Sequence, residues 1–245
     1  MGQTSHDGDL GTILAVFAHP DDEAYLAGGL MALAADAGRR VVCVTATRGE
    51  LGFGDDDPRT VEERAAVRTA EMKACLAELG VTEHHWLEYP DGGCVFVDDE
   101  EPVVRLSSLM EEVRPDTVLT FGPDGQTYHD DHIAVSRWTT RAVRRSDAAI
   151  TLLYAVMTPE WLTALSAYVP VEHVMMTDDP PPTTPADQLA LWFVCDDELA
   201  ARKVRALRAQ ASQVEGLVSL AGLEAYTRLA RDEMFRMPTL ADWPD

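Results

Sequence analysis

Apolar positions along the chain fall into short unbroken blocks that alternate with amphipathic stretches. TILAVF (12–17) and VVCVTAT (41–47) are continuous apolar or β-branched runs of strand length, the pattern of strands covered on both faces. Residues 22–38 between them read as a helix closed by Gly38. TVEERAAVRTAEMKACLAELG predicts a second helix, with Thr60 as N-cap, Glu63 completing a capping box and Gly80 at the C-terminal stop. HHWLEY (84–89) reads as a third strand, 101–114 as a helix halted by Pro115, and TVLTFG (117–122) as a fourth strand. A helix over 131–145 and the strand TLLYAV (151–156) follow. The last third is less regular. A strand is expected near 171–177, then a proline-rich loop (DDPPPTTPAD, 178–187), the apolar run LALWFV and two helices ending near Met237.

No internal repeat or domain boundary interrupts this order, so a single domain over 1–245 is expected, with 1–10 a flexible N-terminus. The β-α-β-α succession implies an α/β, Rossmann-like, mostly parallel sheet with helices on both faces. In open α/β sheets ligands bind beyond the carboxyl ends of the strands. The loops leaving the first four strands carry His19 to Glu23, Arg48 to Gly54, Tyr89 to Gly93 and Pro123 to His132, the four most polar loops of the first half. They should meet at one end of the sheet.

Composition narrows the classes. The formal charge is −22, from 42 acids against 20 bases, a field that repels phosphate backbones and anionic membranes. No nucleic-acid partner and no membrane insertion are therefore expected. The acids are spread along the chain, so Asp55-Asp56-Asp57 and Asp98 to Glu101 read as solvated surface. Cys43, Cys75, Cys94 and Cys195 show no CxxC spacing. Cys43 lies in an apolar run and Cys75 on an apolar helix face; neither a zinc knuckle nor a disulfide framework is indicated, which suits a reducing compartment. The first residues lack a basic segment followed by an apolar one, and no apolar stretch approaches ~18 residues, so a cytoplasmic protein is expected. Trp161, Trp192, Phe193, Met175 and Met176 read as core, with a pocket wall or an oligomer contact as the other options.

The stretch AHPDDEAYLAGG behind the first strand carries the first chemical signal. Asp21, Asp22 and Glu23 fall in the first turn of a helix, where carboxylates complement the dipole; alone, that accounts for them. A dinucleotide site is excluded because it needs GxGxxG at this turn, and these carboxylates would repel a diphosphate. Gly28 and Gly29 come too late for that role and read as close-packing positions. The fourth loop changes the balance, since HDDH places His129 and His132 at a strand-to-helix turn opposite His19 and Asp22. A catalytic zinc site uses three protein ligands and keeps a fourth position open for water. His19, Asp22 and one histidine of the fourth loop supply that number.

AHPDDE behind strand one, Thr47-Arg48-Gly49-Glu50-Leu51-Gly52 behind strand two and H-x-D-H behind strand four, in this order, resemble the LmbE/PIG-L family of metal-dependent N-deacetylases. Arg68 and Glu71 with the following ACLAELG, then YPDG and the late KVRALRAQASQ, extend the resemblance over about residues 12 to 215. It implies hydrolysis of an N-acetyl group from an N-acetylglucosamine-type sugar conjugate, releasing acetate and a primary amine. His19, Asp22 and His132 are implied as ligands of Zn²⁺, with Fe²⁺ or another divalent metal also accepted by such a set. Asp21 is implied as general base, His129 as the group that stabilises the oxyanion and protonates the amine, and Asp131 as the carboxylate orienting His129. Arg68 and Asp91 match sugar-contacting positions, Glu23 and Glu50 read as structural or as groups that back the site residues, and a homo-oligomer is implied. Two departures stand out: Asp130 replaces the family's usual proline, and Thr127 replaces a tyrosine, with Tyr128 one position away. The alternatives are an amidase on a larger thiol or antibiotic conjugate, a phosphoesterase, which the acidic loops disfavour, and a non-catalytic sugar-binding module.

Overall fold

A computed structural model describes residues 10–243. The expected flexible segment 1–10 lies, Leu10 apart, outside the described residues. Five strands, β1 (Ile13–Phe17), β2 (Val41–Thr45), β3 (Glu83–Trp86), β4 (Thr117–Phe121) and β5 (Thr151–Ala155), alternate with four helices. These are α1 (Asp22–Asp36), α2 (Val61–Leu79), α3 (Glu100–Val113) and α4 (Asp130–Arg145). The remaining elements are α5 (Pro159–Ser166), β6 (Leu191–Val194), α6 (Asp197–Ala209), α7 (Ala211–Ala221), α8 (Leu223–Leu229) and β7 (Asp232–Arg236).

The strands form one sheet in the order β3-β2-β1-β4-β5-β7-β6. β1 to β5 pair in parallel, and β7 pairs antiparallel with both β5 and β6. The mostly parallel α/β arrangement is the one the alternation predicted. Every residue of β1, β2 and β4 is buried, as continuous apolar runs require when helices cover both faces. The Thr60–Glu63 capping box opens α2, and Gly80 closes it in the left-handed conformation, both as read from the sequence.

The last third departs from its expected layout. Residues 171–177 form no strand; Val171–His173 is a single 3₁₀ turn, because the free edge of β5 is taken by β7 from the far end of the chain. The expected pair of helices ending near Met237 is instead three helices, followed by β7. The acids in RDEMFR obscured that strand. Glu233 is buried because Lys203 of α6 pairs with it at 2.6 Å and the Gly29 and Leu30 amides of α1 donate to its carboxylate at 2.6 and 2.9 Å. Lys203 also donates to the Tyr25 carbonyl at 2.9 Å, so one ion pair ties α6 and β7 to the backbone of α1. Gly29 is required there: a Cβ would lie 2.4 Å from Cys195 Sγ and 3.1 Å from Glu233 Oε1. Among the aromatic and methionine residues expected in the core, Met175 is buried, whereas Met176 and Trp192 are exposed.

Candidate metal centre and its surroundings

The four polar loops meet at the carboxyl ends of β1 to β4, as the topology required. Loop one follows β1 directly. Asp21 takes the N-cap position of α1 with φ 113°, a region non-glycine residues avoid, and its amide donates to Glu23 Oε2 at 3.0 Å. That backbone turn sends the Asp21 and Asp22 carboxylates to different neighbours. Loop two is anchored by Thr47, whose hydroxyl donates to the Ala18 carbonyl and accepts from the Gly49 amide. Gly49 has φ 64°, and a Cβ there would come within 2.8 Å of the Arg68 guanidinium.

At the centre, His19 Nδ1 lies 3.1 Å from His132 Nε2. Asp22 presents one oxygen 3.7 Å from His19 Nδ1 and the other 3.5 Å from His132 Nε2. The outer face of each ring settles its tautomer. His132 Nδ1 faces the Gly125 carbonyl at 3.0 Å, so it carries the proton and Nε2 is left as a lone pair. His19 Nε2 faces carboxylate oxygens of Asp91 and Asp131, each at 3.2 Å, which places a proton there and leaves Nδ1 as the nitrogen turned to the centre. The inner nitrogens of two imidazoles and a carboxylate thus converge on one point. Their separations are close to the ~3.3 Å ligand–ligand edge expected of a tetrahedral site with bonds of ~2.0–2.1 Å. The donor set fits a divalent cation.

Burial opposes a proton on His19, but Asp131, Asp91 and Asp22 outweigh it and push its pKa up to about 10, so the surroundings favour positive charge at this ring, which a cation at Nδ1 would supply in place of a proton. Burial, with the neighbouring rings of His19 and His129, drives His132 well below the usual histidine range. Burial raises Asp21 to about 8 against the pull of Arg68. A second grouping, His19, His129 and His132, also brings three ring nitrogens together. There, however, His129 Nδ1 already accepts from the Asp131 amide at 3.2 Å, capping α4. Its Nε2 is therefore the protonated nitrogen, a hydrogen-bond donor rather than a ligand. Burial and the nearby His19 hold His129 below its ordinary pKa.

Three of the expected residues also meet partners that the sequence did not name. The Asp131 carboxylate does not reach for His129; it accepts from the Gly92 and Cys94 amides at 2.8 and 3.0 Å and turns to His19. Its tie to His129 runs through its own amide. Asp91 accepts from the Leu51 amide at 2.7 Å and backs His19, while its own amide donates to Glu50 Oε1 at 3.0 Å. Arg68, 2% exposed, donates to the Gly49 carbonyl at 3.1 Å and to the Pro20 carbonyl, and lies 3.6 Å from Asp21 Oδ2. Both residues tie the site's loops together.

Glu23 accepts from Gln210 Nε2 at 2.7 Å and from Cys75 Sγ at 3.3 Å besides the Asp21 amide, and burial lifts its pKa to about 7. The Tyr128 hydroxyl donates to the Pro180 carbonyl at 3.0 Å, which ties the proline-rich segment over loop four and turns Tyr128 away from the centre. Thr127 Oγ1 instead lies 3.3 Å from His132 Nδ1. Sequence reasoning missed the Gly125 carbonyl and the Gly92 and Cys94 amides. Backbone groups carry no sequence signature, and only the run of glycines around them hinted at close approach.

The family profile described as GlcNAc-PI de-N-acetylase (PIG-L) matches residues 14–143. A protein of Acidothermus cellulolyticus named 1D-myo-inositol 2-acetamido-2-deoxy-alpha-D-glucopyranoside deacetylase is 32% identical over 83% of this chain and 80% of its own length. A protein of the same name from Kineococcus radiotolerans is 37% identical, over 54% of this chain and 44% of its own length. Among solved structures, the N,N'-diacetylchitobiose deacetylase of Pyrococcus horikoshii aligns with a TM-score of 0.62 at 21% identity, covering 93% of this chain and 83% of that one. That likeness speaks to the fold.

Proposed function

The chain belongs to the GlcNAc-PI de-N-acetylase (PIG-L) family, and from that premise we propose that it is a metal-dependent N-deacetylase of an N-acetylglucosamine-type sugar conjugate. The observation that carries this reading is the convergence of His19 Nδ1, His132 Nε2 and the Asp22 carboxylate on one point, flanked by a base and a donor. His19, Asp22 and His132 would hold the ion, with Zn²⁺ the leading candidate and Fe²⁺ compatible with the same donors. When bound, a divalent cation polarises the amide carbonyl and lowers the pKa of water from 15.7 toward ~7.

The chain's own groups do the rest. Asp21 takes the proton of the attacking water; its raised pKa makes it a competent base near neutral pH. Arg68 holds that carboxylate and the loop carrying it in place. His129 Nε2–H donates to the oxyanion that develops on the former carbonyl, a contribution of about 3–4 kcal/mol for a well-placed donor. The carbon–nitrogen bond then breaks, the nitrogen takes up the proton that Asp21 took from the water, and acetate and a primary amine leave.

The deciding experiment is primary-amine release from a panel of N-acetylglucosamine conjugates, with metal restored and with a chelator control. Release that requires metal and disappears in Asp21→Asn with metal still bound is the expected result. Binding of metal without release across the panel would overturn the sugar-conjugate reading in favour of a larger amide. Absence of both would overturn the catalytic reading itself.

A further inference from the structure

A cavity of approximately 210 Å³ opens beside the candidate metal centre, with Asp22 and His132 in its wall. The rest of its surface is contributed largely by apolar side chains, among them Leu26, Met157, Trp161, Leu165, Leu217 and Leu229. The polar groups that reach it are mostly spent on one another. The Tyr226 hydroxyl donates to that of Tyr25 at 3.0 Å, the Trp161 indole N–H to the Leu229 carbonyl at 3.1 Å, and Glu233 is held by Lys203 and the α1 amides. A sugar ring placed here would lose water from its hydroxyls and find few partners. An acetyl methyl would leave most of the space empty. A dry apolar cavity of ~150 Å³ accommodates benzene, so this one has room for a chain of about six to eight carbons.

Position decides which part of an amide faces the cavity. Asp22 and His132 line it, whereas Asp21 and His129 do not. With Asp21 and His129 outside it and a lining that would strand a sugar's hydroxyls, the acyl group is the part directed inward. We propose that this cavity is an acyl pocket and that the preferred substrates are amino-sugar amides of a medium-chain fatty acid, acetyl being the short end of the accepted range. The proposal rests on the amide-hydrolase reading above. Water adds to the carbonyl carbon, the carbon–nitrogen bond breaks, and the products are the free fatty acid and the amine, with no further reactant.

The test is amine release from N-acylglucosamines carrying two, four, six, eight and twelve carbons, using the metal-loaded enzyme. kcat/KM should rise about fourfold per methylene up to six or eight carbons and then fall. Ala221→Phe, at the end of α7 in the cavity wall, should lower the octanoyl rate at least tenfold and leave the acetyl rate unchanged; Ala221→Leu serves the same purpose with less bulk. Octanoate alone, but not acetate, should raise the melting temperature and shift tryptophan emission, the emission change being lost in Trp161→Phe. Acetyl turnover with no gain from longer chains and no octanoate effect would overturn the acyl pocket and leave the deacetylase reading intact. Octanoate binding with no hydrolysis of any member would support the pocket and overturn the reaction assigned to it.

Discussion

Single residues in this site divide by what their outer atoms touch. Asp21 has its carboxylate beside Arg68 and its backbone in a strained turn, whereas Asp22, next in sequence, accepts from the His19 amide at 2.8 Å and faces the ring nitrogens. Neighbouring acids of one type thus acquire separate work from a single φ value. Asp21→Asn should lower kcat about 10²–10⁴-fold with metal stoichiometry unchanged, measured by amine release alongside metal analysis. Arg68 separates a positioning role from a substrate contact. Arg68→Met should lower kcat at nearly constant KM and destabilise the fold by about 3–5 kcal/mol, because it strands buried carbonyls and Asp21. A selective rise in KM with stability preserved would instead place Arg68 on the substrate. The residue types of both positions were legible in the motif; which atoms they face was not, because contacts such as Arg68 to Pro20 link residues far apart in sequence.

Elements gather these residues through a few deliberate attachments. α1 starts at the metal centre and passes over the Lys203–Glu233 pair, which engages its backbone at Tyr25, Gly29 and Leu30. Removing one partner leaves a buried charge, so Lys203→Met should cost about 3–5 kcal/mol in a denaturant titration, far more than the ~1 kcal/mol expected for loss of the α2 cap in Thr60→Ala. The late lysine motif therefore acts at a distance from the centre by holding the helix that carries Asp22. β3, at the sheet edge, holds His84 with Nε2 3.0 Å from Thr45 Oγ1, and burial, then the nearby His85 and Arg48, lowers its pKa to about 4. The unfolded chain takes up that proton near pH 6.5, so between about pH 6.5 and 4 protonation favours unfolding. The stability of the wild type relative to His84→Gln should fall across that window and level off below it, as followed by chemical denaturation at a series of pH values.

For the molecule as a whole, the site is a concentration of like charge inside an acidic protein. Three carboxylates around His19 favour positive charge at this centre, whether a proton on the ring or a bound cation. A chelated sample should melt lower than the same sample with metal restored, the difference approaching about 4 kcal/mol at 1,000 times the dissociation constant; calorimetry measures it. The alternation of apolar blocks and amphipathic stretches was enough to determine the parallel α/β half of the sheet, because burial on both faces leaves strands and helices with distinct periods. The same reading located the four loops and the histidines and acids they carry, since topology alone sends them to one end. It failed where structure depends on a distant partner. β7 needed Lys203 to bury its glutamate, residues 171–177 lost their edge to that strand, and Asp91, Asp131 and Arg68 took their places from backbone groups on other loops. Local pattern decides which segments are strands and which loops carry chemistry. Only the packed tertiary structure decides which lone pair, proton or carbonyl each side chain meets, because those contacts join residues that the sequence keeps far apart.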